Sequence, residues 1–185
     1  KKKIYEKLLM LRSHGIVKDP NLMSGKIDGE WYYQQIDLGF NYRLTDIQAS
    51  LGISQLKRVN EFVKKRNKIA LYYNKHLSNL PLKLPFIKKQ NYSSFHLYII
   101  RIDRSLVKIS HKEFFSNLRK NKIGVNLHYI PIHYHPFFKK LGFKKGQFPE
   151  AEKYYKEAIS IPIFPKLKQN ELNYIVKTIT TALMK

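Results

Sequence analysis

The chain has 185 residues, 43% hydrophobic and 14% aromatic, enough apolar mass for one compact domain with appendages or for two small lobes. It has no cysteine, which excludes disulfides, thiolate metal sites and a cysteine nucleophile; 35 Lys and Arg against 13 Asp and Glu give a formal charge of +22. No apolar run approaches the length of a membrane span, and "KKKIYEKLLMLRSHG" lacks the apolar core and small-residue cleavage site of a signal peptide, so a soluble, cytoplasmic chain is expected.

Residue 1 is Lys rather than Met, which points to sequence upstream. Ile4, Leu8 and Leu11 recur at helical spacing and predict a helix over residues 4–13, stopped near His14 and Gly15. Residues 18–37, with "SGKIDGEWYY", read as a loop. Thr45 and Gln48 form a capping box that starts a helix. Ala49, Ile53, Leu56, Val59 and Val63 continue its apolar stripe, Arg58, Lys64, Lys65, Arg66 and Lys68 its wet face, so one long helix to about Lys75 is expected.

After the prolines of "LSNLPLKLP", residues 93–103 are β-rich and predict a strand. Ser110 and Glu113 make a second capping box, opening a helix that stops around Gly124. "VNLHYIPI" reads as another strand, followed by a loop at His135 and Pro136 and a helix through "PEAEKYYKEAI" with Pro149 in its first turn. "SIPIFP" is a short extended segment, and a final amphipathic helix spans about Gln169 to Leu183. This order predicts an α/β fold with helices on one face of a short sheet.

In "GFNYRLT", Asn41 and Arg43 stand just before a helix start, where free backbone N–H groups and the positive dipole end attract anions. An amide donor and a planar guanidinium suit a phosphate or diphosphate, although Arg43 could equally pair with a carboxylate such as Asp46. His128, His133 and His135 would put two imidazoles on one face of an extended segment, but with no cysteine or nearby carboxylate no metal site is expected. His14 either contacts a ligand or ends the preceding helix, and Trp31 and Tyr32 face an interface or a sugar. The pairs Tyr72, Tyr73 and Tyr154, Tyr155 read as half core and half surface. The lysines are scattered, with no nucleic-acid recognition motif beside them, so neither a nucleic-acid nor a membrane partner is expected; the positive field suits a small anionic substrate.

The run "GFNYRLTDIQASLGISQLKRVNEFVKKRNKIALYY" closely resembles the signature of the DegT/DnrJ/StrS-type sugar aminotransferases, with Gly39, Asn41, Tyr42, Arg43, Thr45, Gln48, Ala49, Gly52, Gln55 and Leu56 in place. "LRSHGI", "SSFHLYIIRI", "IGVNLHYIPIHYHPFF" and "FPEAEKYYKEAISIPIFPKL" are also similar to the family, so the resemblance covers nearly the whole chain. Within the family, "VNLHYIPIH" is most similar to the transaminases acting on a UDP-4-keto-6-deoxy-N-acetyl sugar in pseudaminic acid biosynthesis.

The resemblance implies the small C-terminal domain of a type I aminotransferase fold, a short, mainly antiparallel sheet with helices on one face plus a long linking helix. Residues 1–40 would end the large-domain region, 41–78 form the signature turn and linking helix, and 79–185 the small domain. It also implies pyridoxal 5'-phosphate held between the subunits of a homodimer, with glutamate as amino donor and a nucleotide-sugar as acceptor. Asn41 would reach the cofactor phosphate of the neighbouring subunit, Arg43 the diphosphate, and His128, Tyr129 and His133 the nucleotide-sugar. The family's cofactor lysine stands in a Ser-Phe-His-x-x-Lys setting. Here Ser94, Phe95 and His96 are followed three residues later by Ile99, so no catalytic residue is assigned and the chain alone is expected not to transaminate. A different reading is a standalone, non-catalytic module that binds a nucleotide-sugar or a polyanion.

Overall fold

The computed structural model describes residues 1–27, 29 and 31–184, in two compact units, Lys1–Lys57 and Arg58–Lys185. Asp28 and Glu30 of the expected loop lie outside the described residues.

The first unit opens with helix α1 (Lys2–Leu11). His14 and Gly15 follow with φ of 63° and 73°, the left-handed turn expected of a glycine stop. Two-residue strands β1 (Ile16–Val17) and β2 (Gln34–Gln35) pair antiparallel, Ile16 opposite Gln35, so the segment expected to be wholly loop contains a strand too short to carry a periodic signal. Between them Asp19 caps a 3₁₀ turn at Pro20–Leu22 by accepting the Asn21 N–H. Helix α2 (Asp46–Leu56) starts at the expected capping box: Thr45 Oγ1 accepts the Gln48 N–H at 3.3 Å, and Gln48 Oε1 accepts the Thr45 N–H at 3.1 Å.

The single long helix is not observed. α2 ends at Leu56 and α3 (Val59–Leu77) opens the second unit, with Arg58 at φ −107°, ψ −3°. No glycine or proline marks the break, and Lys57 keeps a helical conformation, so the apolar spacing runs on through it. The stripe serves no common core: Ile53, Leu56 and Val59 are exposed, and burial in α3 begins at Ile69 and continues through Ala70, Tyr73 and Leu77.

Strands β3 (Leu82–Lys83), β4 (Tyr98–Ile102) and β5 (Ala158–Ile161) form an antiparallel sheet in the order β3-β4-β5, with Ile100 opposite Ile159. β4 begins five residues later than expected, because Ser93 Oγ accepts the Phe95 N–H at 3.1 Å and Phe95 turns to φ 45°. Helix α4 (His111–Lys120) carries the second capping box, and Lys122 at φ 58° ends that segment ahead of Gly124. The strand expected at 125–132 is reduced to one bridge, Asn126 to Ser160; Asn126 Oδ1 accepts the next N–H, of Leu127, and Pro131 has none to give. The loop expected at His135 holds a 3₁₀ turn (Ile132–Tyr134) and the short helix α5 (Pro136–Lys140). Helix α6 (Pro149–Glu157) has Pro149 in its first turn and gives way at Ala158 to β5, two residues before the extended segment was expected. Helix α7 spans Gln169–Leu183 as expected.

Tyr98, Ile100 and Ile102 alternate onto one face of β4 and pack with Tyr73 and Leu77 of α3, Phe114 and Leu118 of α4, and Ile175 and Ile179 of α7. Tyr73 donates to the Pro162 carbonyl at 2.8 Å, while Tyr72 is only partly buried. On the opposite face Arg101 pairs with Glu157 at 2.7 Å beside the Tyr154 ring. The fold class is therefore the expected one, α/β with a short antiparallel sheet. Among the described residues no helix is long and apolar enough to cross a membrane.

Candidate functional site

In the first unit the "GFNYR" turn is laid against the end of α1 by backbone bonds: Phe40 N–H to Leu11 O at 2.7 Å, His14 N–H to Phe40 O at 2.8 Å, and Tyr42 N–H to Arg12 O at 2.9 Å. The approach is possible only without a side chain at residue 39, where a Cβ would lie 2.1 Å from Gly15 N. Lys7 bonds the Asp37 carboxylate from α1, holding its pKa below the ordinary value. The Phe40 and Tyr42 rings stack 4.8 Å apart.

This scaffold brings Asn41, Arg43 and His14 together. Arg43 Nε donates to Asn41 Oδ1 at 2.9 Å, and Arg43 Nη2 lies 3.4 Å from His14 Nε2. The first bond occupies the acceptor end of the Asn41 amide, so its NH₂ group and the outer guanidinium nitrogens are the donors left for a ligand. Among the described residues no carboxylate, Asp46 included, lies within ion-pair distance of Arg43; Asp46 stands in the first turn of α2. An exposed amide donor, a guanidinium without an internal anion and a helix start nearby fit a phosphate group.

In the second unit His128 is exposed, and its Nδ1 lies 2.7 Å from Ser160 Oγ. Tyr129 is also exposed, its ring nearly parallel to that of His135 at 6.0 Å. His133, expected to meet the nucleotide-sugar, is largely buried. It is 6% exposed, its Nε2 lies 2.9 Å from Glu152 Oε1, and its ring is set between Tyr134 and Phe148. The 3₁₀ turn causes this: His133 and His135 do not share the face an extended chain would give them, and His133 turns toward α6.

Glu152 also accepts the Gly146 N–H at 2.5 Å, and the His133 bond is the main reason its carboxyl pKa falls to about 2. Burial, with the neighbouring Glu152 charge, pushes the Tyr134 phenol up to about 12. Tyr129, Ile130, Pro131, Ile132 and His133 line an apolar cleft of about 510 Å³ together with Phe138, Phe143, Phe148 and Ala151. Among the described residues no three His, Cys, Asp or Glu side chains are grouped to hold a metal ion. Trp31 is exposed, and Tyr32 accepts from Gln34 Nε2 at 3.4 Å. Glu152 and Ser160 were not singled out from sequence; an acid in a helix's first turn and a lone serine in an apolar strand carry no local signal of what they hold.

The model of the DegT/DnrJ/EryC1/StrS aminotransferase family matches residues 1–180. The chain belongs to this family. Family relatives include the UDP-4-amino-4,6-dideoxy-N-acetyl-beta-L-altrosamine transaminase of Campylobacter jejuni, 33% identical over 98% of this chain and 46% of its own length. The spore coat polysaccharide biosynthesis protein SpsC of Bacillus subtilis is 32% identical over 94% of this chain and 45% of its own. Among solved family structures, Helicobacter pylori PseC, an aminotransferase of pseudaminic acid biosynthesis, superposes with a TM-score of 0.85 at 27% identity, over all of this chain and 47% of its own. The sugar aminotransferase Spr1654 of Streptococcus pneumoniae, in its pyridoxamine phosphate form, gives 0.85 at 28% identity over 99% and 45%; its pyridoxal phosphate form matches as well. The chain spans about half the length of these family members.

Proposed function

We propose that this chain is the C-terminal part of a pyridoxal-phosphate-dependent aminotransferase that moves an amino group from glutamate to a UDP-linked 4-keto-6-deoxy sugar. The observation that carries the reading is the "GFNYR" turn, where one bond from Arg43 occupies the Asn41 amide oxygen, leaving its NH₂ group as a donor, and the guanidinium has no internal anion among the described residues. Asn41 would hold the cofactor phosphate of a neighbouring subunit in a homodimer, and Arg43 the nucleotide-sugar diphosphate. His128 and Tyr129 would face the sugar or base, with His133 supporting them from inside. When bound, the cofactor supplies the electron sink that lets an amino group pass between carbon skeletons. The chain's own part is to bind and orient phosphates through fixed donors. None of its lysines stands in the family's cofactor setting, so turnover is assigned to the protein that carries this chain together with such a lysine.

Arg43→Ala in that protein tests the assignment. Loss of a charge-assisted contact should weaken nucleotide-sugar binding by about 10-fold or more in calorimetry, with pyridoxal phosphate still bound. Unchanged affinity would remove Arg43 from the site and leave the turn a purely structural device.

A further inference from the structure

Among the described residues the segment that carries His128 pairs with the sheet at one bridge, and its partner there is Ser160. On β5, Ser160 is 5% exposed, its backbone exchanging both bonds with Asn126: Asn126 N–H to Ser160 O at 3.1 Å and Ser160 N–H to Asn126 O at 2.8 Å. Two residues after Asn126 the chain has turned, and the His128 ring comes back so that Nδ1 meets Ser160 Oγ at 2.7 Å. One residue of a buried strand thus fixes both the backbone that leads into His128 and the plane of its ring.

The bond also selects a tautomer. Among the described residues Ser160 Oγ has no other hydrogen-bond partner. Were Nδ1 the donor, the serine proton would be buried with nothing to receive it, an arrangement that costs the full desolvation of a hydroxyl. The serine therefore donates to Nδ1, and the imidazole proton sits on Nε2 of this exposed residue. We propose that Ser160 is a positioning residue that locks His128 as its Nε2–H tautomer and so presents a fixed N–H donor to an oxygen acceptor of the nucleotide-sugar. This rests on the reading that His128 faces that substrate.

The test uses the full-length protein that carries this chain. Long-range ¹H–¹⁵N correlation spectra of the His128 ring should show the Nε2–H pattern in the wild type and a tautomer mixture in Ser160→Ala. In steady state, Ser160→Ala should raise KM for the sugar substrate about 3- to 10-fold. The half-reaction with the amino donor, followed by cofactor absorbance, should stay at the wild-type rate, and Ser160→Thr should restore KM. An Nδ1–H wild-type ring would overturn the proposal even if the alanine variant failed to fold. So would Ser160→Ala with unchanged spectrum and KM while His128→Ala raises KM. If His128→Ala itself leaves the sugar KM unchanged, the functional reading falls instead, and the ring spectra alone then judge the tautomer.

Discussion

Gly15 and Gly39 are each set where another backbone passes. A Cβ on Gly39 would stand 2.1 Å from Gly15 N, and one on Gly15, already at φ 73°, would stand 1.9 Å from Asp37 O. Gly39→Ala should therefore force the signature turn off α1 and destabilise that unit by about 2 kcal/mol or more, read as earlier hydrogen exchange at the Phe40 and Tyr42 amides. Glu152 offers a pH test. Its carboxyl pKa is about 2 in the folded chain against an ordinary 4.5, chiefly through the His133 bond, so the folded state binds the charged form more strongly than the unfolded state does. That stabilisation is fully present above about pH 4.5 and is lost as pH falls through about 2. Glu152→Gln should lower the urea midpoint at pH 6, and the gap from wild type should close by pH 2. At this scale the turn that carries Asn41 and Arg43 was readable because it is local. The pairing of His133 with Glu152 was not, since it joins residues on separate elements through a 3₁₀ turn that no periodicity announces.

Elements followed the sequence where their limits are written locally. Thr45 with Gln48 and Ser110 with Glu113 closed as capping boxes, and the Glu113 carboxyl is held below its ordinary pKa by the Ser110 hydroxyl and N–H. Ser110→Ala should cost about 1 kcal/mol of unfolding free energy, and Ser110→Asp should restore most of it, both measured by urea titration. α7 likewise lay where its apolar spacing placed it. Elements decided by distant partners did not follow. "VNLHYIPI" has strand composition, yet among the described residues its only ladder partner is Ser160, and Asn126 spends its side chain on the following N–H. The helix break at Lys57 and Arg58 has no breaker residue to announce it; it shows only in which side chains find a core.

Across the whole molecule, burial is uneven. Every member of the main hydrophobic cluster, from Ile69 to Ala182, belongs to Arg58–Lys185, whereas Val17 is the one buried hydrophobic residue of Lys1–Lys57 among those described. The smaller unit is knitted by backbone hydrogen bonds and shows Phe40, Tyr42, Leu44, Ile47, Leu51 and Ile53 to solvent, the same stretch that carries the donors proposed for a phosphate. An apolar rim around a polar turn matches a site completed by another surface, which agrees with a cofactor shared between subunits. The lysines, by contrast, are spread without focus, and the site geometry owes little to them.

The interruption between α2 and α3 exposes two consecutive basic side chains, Lys57 and Arg58, where helical hydrogen bonding lapses. To a trypsin-like protease this is a seam. Brief digestion of this chain should nick there early, and mass spectrometry should find a persistent fragment beginning at Arg58 or Val59, since no side chain of its main core lies on the other side of the cut. Such a fragment would be the smallest autonomous folding unit in the chain, and the turn proposed to bind a phosphate would leave with the piece that holds none of the main core.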